Sequence, residues 1–378
     1  CKAMFDESRH PLFAKTFVYD AGNVVEETLW GSLTGSKTLP LQIDDLGRCS
    51  GAESYRKTYS YHKDQFNLLK TESEDNGPTY EYFYKLGTDL CTAKLSKDKE
   101  GTILMRELFI YDDDNLLIRE IIDDSSSVEA SHIRGATQRL EKRYERNSTS
   151  GLPEWLIESY WDKPLKKIKY TYLNQKVHTE EVFDALGISR YTITTDYHDF
   201  GLIKRKTTPL GRENIYRYNA EGQLEQSKEI GSPTKIFAYD PANRMQSCKE
   251  PDTGKIAMTT YDCKGRILIQ TDFRGNQTVH TYDIFGNRKT TTLPECKDEE
   301  GQKYSPTLKF DHDIHGNLIR AEMPLQEKTQ NTYNLFRKPT LIIQADGTRI
   351  HHFYNKNGTL NKTLYSEGTE IHYEYDLF

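Results

Sequence analysis

The sequence holds 378 residues with a formal net charge of −6, is 35% hydrophobic and has a mean hydropathy of −0.78. That balance excludes nucleic acid and an anionic membrane as natural partners, since both need a basic surface, and no stretch approaches the roughly 18 consecutive apolar residues of a membrane-spanning helix. The apolar fraction is low for a solid core of this size; a sheet with two wet faces fits better, and the 25 tyrosines supply aromatic area that tolerates a half-wet setting.

Residues 1 to 60 contain one good turn opening, Tyr19-Asp20-Ala21-Gly22-Asn23-Val24, and a weaker one at Asp44-Asp45-Leu46-Gly47-Arg48. Tyr61 stands 42 residues after Tyr19, and further openings at Tyr84 and Tyr111 follow at steps of 23 and 27. Insertions in turns cost little, so this drift is compatible with one recurring unit. The most apolar stretch, Ile103 to Ile122, is interrupted by Arg106, Glu107 and Asp112-Asp113-Asp114-Asn115 and reads as a hairpin. The acidic run lacks the glycine and distal glutamate of a calcium loop and reads as the hairpin tip.

Residues 123 to 170 are the least regular. Asp123-Asp124-Ser125-Ser126-Ser127 is a polar break, and the composition of Thr137 to Glu145 predicts a short helix through Gln138, Arg139, Leu140, Glu141 and Lys142. Gly151-Leu152-Pro153 and Asp162-Lys163-Pro164 punctuate two strand-like runs that carry Trp155 and Trp161. A decorated loop between repeats is preferred here to a domain boundary.

Phe183-Asp184-Ala185-Leu186-Gly187 restores a regular register. A tyrosine followed by a polar turn recurs at Tyr197, Tyr218, Tyr239, Tyr261, Tyr282, Tyr333, Tyr354 and Tyr375, at steps of 21, 21, 22, 21, 51, 21 and 21; with His312 in the tyrosine place the last part of the long step is again 21. The next residue is Asp, Asn or His, and a glycine follows three later in most copies (Gly201, Gly222, Gly265, Gly286, Gly316, Gly358). An Asx side chain caps a type I turn, and glycine accepts the left-handed conformation that sends the chain back. Asn243 can replace that glycine, whereas Arg337 breaks the pattern. A second turn falls halfway through each period, as at Pro209-Leu210-Gly211, Asp272-Phe273-Arg274-Gly275 and Ala345-Asp346-Gly347, and the runs between turns are short and rich in β-formers, as in Lys255 to Tyr261. The step from Tyr282 to His312 exceeds one period by nine residues, and Pro294 to Pro306, which carries the surplus, reads as a surface loop. The expected fold is therefore all-β, two strands per period, each hairpin lending its edges to its neighbours in a continuous spiralling sheet. Two periods would also match a propeller blade, but copies do not alternate, which favours a uniform spiral.

Tyr261-Asp262-Cys263-Lys264-Gly265-Arg266-Ile267, Asp272-Phe273-Arg274-Gly275-Asn276 and Tyr282-Asp283-Ile284-Phe285-Gly286-Asn287-Arg288 resemble the RHS or YD repeat, most specifically over residues 183 to 378. That family includes the bacterial rearrangement-hot-spot proteins, the B and C components of insecticidal toxin complexes and the YD shells of teneurins. The resemblance implies a hollow shell that, in bacterial members, encloses a toxic C-terminal domain. It implies as partner the encapsulated toxin domain of the same longer chain, and as location the cell exterior or surface of a bacterium. No segment matches the family's autoproteolytic motif, so no cleavage residue is carried over.

Chemical signatures are sparse. GxSxG, HExxH, P-loop and dinucleotide motifs are missing, and SxxK occurs at Ser54, Ser60, Ser96 and Ser232 without companion motifs. His280, His352 and His372 precede repeat tyrosines and read as partly exposed sheet histidines. The neighbours His351 and His352 point to opposite faces of a strand and cannot chelate one ion together. Arg212, Arg266, Asn276 and Asn287 follow turn glycines, where exposed polar groups can meet sugars; turn chemistry is the simpler reading. Sequons at Asn147, Asn276, Asn357 and Asn361 matter only in a eukaryotic secretory pathway. The six cysteines (Cys1, Cys49, Cys91, Cys248, Cys263, Cys296) show no metal spacing. Without an initiator methionine, and ending at Tyr375-Asp376-Leu377-Phe378 as the next turn begins, the chain reads as an excised piece of a longer protein; lipidation of Cys1 is the lesser alternative.

The expectation is a non-catalytic wall fragment with no catalytic, cofactor or metal residues. Residues 1–170 carry drifted repeats with an insertion at 123–170 and residues 171–378 carry regular ones, or the whole is one domain. The competing readings are a cell-surface module binding carbohydrate, with glycans as partners, and a hydrolase hidden in residues 123–170.

Overall fold

The computed structural model describes residues 1–5, 8–34, 40–324, 327–334 and 336–375. The turn residue Asp376 and the two that follow it lie outside them. The described residues form strands, turns and bends without a helix, and thirty strands lie in antiparallel ladders. The expected all-β hairpin architecture is what the chain adopts. It divides into two compact units, one of residues 1–192 with 353–361 and 372–378, the other of residues 193–352 with 362–371.

In the first unit consecutive strands pair in chain order from Lys2–Phe5 to Lys176–Asp184, except that Asn23–Gly31 pairs with Glu53–Tyr61 past a small hairpin of Gln42–Ile43 and Cys49–Ser50. Alternation along each strand sends one side chain in two to the covered face. Leu108 stands opposite Ala93 on one side and Ile121 on the other, and the three form a buried cluster packed by Phe83, Ile110 and Ala130. Further along, Ile168 sits between Leu156 and Val182. Burying each such aliphatic side chain contributes about 1.5–3 kcal/mol.

The helix expected at Thr137 to Glu145 is instead the strand Arg139–Arg146, paired with Leu117–Asp123 on one side and Pro153–Tyr160 on the other. Good helix formers fill this stretch, but an isolated helix of that length is marginal, whereas a ladder on each side lets the strand pair its backbone groups in both directions. Within residues 123–170 the longest stretch without a strand is the loop of residues 124–138.

In the second unit strands of five to seven residues alternate with tight turns, as in Lys255–Tyr261, Ile267–Thr271, Gln277–Tyr282 and Arg288–Thr292. The ladder shifts register at the repeat tyrosine each time: Thr260 faces Ile269 but Tyr261 faces Ile267. Asp262 donates its N–H to the Arg266 carbonyl and Gly265 its N–H to the Asp262 carbonyl, so three residues form the loop and Gly265 closes it at φ 83°. This is a type I turn followed by a bulge that needs a left-handed residue. The mid-period turns, such as Asp272 to Asn276, have the same bonds. The surplus at 294–306 carries a small exposed hairpin of Cys296–Lys297 and Lys303–Tyr304.

Asn243 takes the glycine's role at φ 63°, as expected. Arg337 does not break the pattern: it adopts φ 58°, and the flanking Asn334 to Lys338 bonds are the usual ones. Ladders on both flanks force the conformation on a residue that disfavours it. Arg337→Gly is therefore expected to stabilise the protein by about 1 kcal/mol, read as a rise in the urea midpoint; a fall would show that the arginine side chain contributes more than the strain removes.

Candidate functional site

The period has a physical meaning that the sequence did not disclose. In successive repeats the tyrosine hydroxyl donates to a main-chain carbonyl of the preceding repeat: Tyr239 to Leu224 (2.9 Å), Tyr261 to Met245 (2.8 Å), Tyr282 to Ile267 (2.8 Å) and Tyr333 to Leu318 (2.8 Å). The drifted copies do the same, with Tyr61 bonded to Val24, Tyr84 to Leu69 and Tyr111 to Cys91, and so does Tyr172, bonded to Pro153, where the sequence showed no repeat. Ile267 shows why. Its strand pairs with the next only over Ile269 to Thr271, so its carbonyl lies beyond the ladder and the phenol of Tyr282 supplies the donor. A phenylalanine could fill the space but not the bond. The only signal in the sequence was the consistent choice of Tyr over Phe.

In two copies an arginine doubles the link. Arg266 pairs with Asp262 of its own turn at 2.6 Å, and its guanidinium stacks on the Tyr282 ring at 4.5 Å while donating to the Asp283 carbonyl. Arg244 repeats this with Asp240, Tyr261 and the Asp262 carbonyl. These two repeats are thus joined to the next by a phenol, a ring face and a guanidinium as well as by the ladder.

The turn carboxylates lie below the ordinary range. Asp262 is held there by the Arg266 N–H and guanidinium, Asp240 by the Arg244 guanidinium and N–H, and Asp272 by the Asn276 side-chain amide and N–H. A value lower in the folded than in the unfolded chain means that this stability is fully present above the unfolded pKa of about 3.9 and is lost as pH falls below it. A triple variant with Asp240, Asp262 and Asp272 changed to Asn is expected to lose less of its urea midpoint between about pH 5 and pH 3 than the wild type does. Parallel losses in the two proteins would refute this.

The residues singled out for sugars do not converge. Arg266 and Asn287 follow the tyrosine-led turns, Arg212 and Asn276 the turns at the other end of the hairpins. Asn276 and Asn287 bond the Asp272 and Asp283 carboxylates of their own turns, and Arg212 lies 3.8 Å from Glu229. Their geometry is that of turn chemistry. The histidine reading needs correction at His280, which is buried rather than partly exposed, with Nδ1 3.1 Å from the Thr291 hydroxyl. Burial, with Arg288 nearby, lowers its pKa and favours the neutral ring. His352 repeats the contact with Thr363 at 3.0 Å and is half-buried, while His372 is exposed. The Asp112 run is a hairpin tip, with Asn115 at φ 63°. The six cysteines are free, and among the described residues no three His, Cys, Asp or Glu side chains gather as metal ligands.

The least regular region holds the most elaborate polar cluster. Asp123 is fully buried and ion-paired with both Arg106, also fully buried, and Arg139. Arg106 also donates to the carbonyls of Ser127, Glu129 (2.7 Å) and His132 (2.7 Å), and Arg139 to that of Ala130 (3.2 Å). The two guanidinium groups thereby fix the loop of residues 124–138. Since both Asp123 oxygens are committed, the cluster serves architecture rather than acid–base chemistry.

Comparison with solved structures finds a similar fold elsewhere. The fold is shared with Tc toxin chains. The crystal structure of TcdB2-TccC3-TEV is similar over 96% of this chain with a TM-score of 0.52 and 14% identity. The Photorhabdus luminescens Tc holotoxin pore and TcdB2-TccC3 without its hypervariable C-terminal region each match over 94% with a TM-score of 0.52 and 13% identity. The chain spans 22% of the length of each of those chains. No family model and no curated protein matches the sequence.

Proposed function

We propose that this chain is a non-catalytic stretch of wall from an RHS/YD-repeat shell, part of a longer secreted bacterial protein whose C-terminal toxic domain the wall encloses. On this reading residues 1–170 and 171–378 are the drifted and regular portions of one wall. The observation that carries it is the joint between repeats. Shared ladders, tyrosine hydroxyls and, in two copies, stacked arginines hold hairpin to hairpin, which suits a barrier. The likeness to Tc toxin chains supports the reading at the level of fold.

The test is protease protection in the full-length parent protein. Trypsin is expected to leave the segment beyond the repeats intact and associated with them, and to digest it once mild denaturant opens the repeats. Digestion of that segment in the native protein at the rate of an unprotected peptide would reject containment.

A further inference from the structure

The small hairpin of Gln42–Ile43 and Cys49–Ser50 forms a two-stranded sheet of its own beside the thirty-strand sheet. Such a hairpin is marginally stable in water unless something fastens it. Its turn is well defined: the Asp44 carboxylate accepts from the Leu46 and Arg48 N–H groups and pairs with the Arg48 guanidinium at 2.6 Å, which sets Gly47 at φ 75°.

Two cysteines meet at that turn. A first side-chain carbon placed on Gly47 would lie 3.3 Å from the Cys1 Cβ, so Cys1 packs into the space that the glycine leaves open. The Cys49 Sγ lies 4.0 Å from the carbonyl oxygen of the same glycine. Burial raises the Cys49 pKa, and the amino group of Cys1 is near enough to pull against that rise. Lys2 is held in the ladder opposite Lys15, whereas Cys1 precedes the strand and is free to turn its side chain to the Cβ separation of about 4 Å that a disulfide requires. Of the other four cysteines, Cys91, Cys248 and Cys296 lie on different strands and Cys263 in a turn.

We propose that Cys1 and Cys49 form a disulfide that fastens the small hairpin to the first strand of the large sheet. The exposed Cys1 thiol is the one a soluble oxidant reaches first, and the half-buried Cys49 then resolves. With glutathione disulfide as the oxidant, the Cys1 thiolate attacks one sulfur and expels a glutathione thiolate. The Cys49 thiolate then attacks the Cys1 sulfur of that mixed disulfide, expels the second glutathione and leaves the protein S–S bond. Two protein thiols lose two protons and two electrons, and one glutathione disulfide becomes two glutathiones. Forty-seven residues lie between the two cysteines, and a cross-link that closes a long loop restricts the unfolded chain most. The bond forms whether or not the repeats enclose a cargo.

The intact chain is equilibrated in buffers of reduced and oxidised glutathione, its remaining thiols are blocked with N-ethylmaleimide, and it is digested with trypsin without reduction. Cys1-Lys2 linked to the peptide from Cys49 to Arg56 is expected to accumulate as oxidised glutathione dominates and to vanish with dithiothreitol. In the oxidised protein amide exchange at Gln42, Ile43, Cys49 and Ser50 is expected to slow about tenfold, a change missing from Cys1→Ser and Cys49→Ala. Both cysteines blocked by maleimide in the oxidising buffer, each ending as a mixed disulfide with glutathione, or either joined to another cysteine would overturn the proposal. So would a linked peptide with exchange at the hairpin unchanged.

Discussion

Asp123→Ala is expected to destabilise the first unit by about 3–5 kcal/mol, the largest effect of any single substitution considered for this chain. The carboxylate balances two guanidinium groups in a place where Arg106 and Asp123 have no solvent exposure, so its removal leaves Arg106 buried without an anion and Arg139 with only Glu141, 3.9 Å away. The same change releases the carbonyls that Arg106 and Arg139 hold, and hydrogen exchange is expected to rise first at residues 124–138. Replacing Arg106, Asp123 and Arg139 together by apolar residues of similar volume is expected to restore only part of the loss, since the buried charges are gone but the Ser127, Glu129, Ala130 and His132 carbonyls lose their donors. Urea unfolding of the single and triple variants measures both. A single variant within about 1 kcal/mol of the wild type would show that the cluster is hydrated rather than dry.

Tyr282→Ala ranks second, with an expected loss of about 2–3 kcal/mol; it lies below the usual cost of a fully buried aromatic because the ring is only half-buried. The substitution removes the face under Arg266 and the donor to the Ile267 carbonyl together. Tyr282→Phe separates the two contributions. It keeps the ring, removes the hydroxyl and is expected to cost about 1 kcal/mol. Because repeats depend on their neighbours, amide exchange should accelerate in the strands Ile267–Thr271 and Gln277–Tyr282 before distant ones respond. Equal stability of the phenylalanine variant and the wild type would mean that the phenol bond exchanges evenly with water and that the tyrosine is selected for its ring alone.

Arg337 and the stretch from 139 to 146 show where reading by residue type stops. A left-handed arginine and a strand of helix formers are both poor local choices, and both are imposed by neighbouring ladders that a linear sequence does not display. His280 is similar: its contact with Thr291 comes from the strand paired beside it, where Thr291 stands directly across, and not from its own neighbours in sequence.

The amino-acid order alone determined the all-β hairpin fold, the tyrosine-led turn and its spacing, because a three-residue loop needs an Asx cap and a left-handed residue at fixed offsets. What that tyrosine does, which carbonyl it reaches and which cations meet Asp123 were decided only by tertiary structure. Those partners lie 15 to 17 residues away along the chain at Asp123 and in the regular repeats, and up to 37 in the drifted ones, and it is the register between strands that brings them within bonding distance.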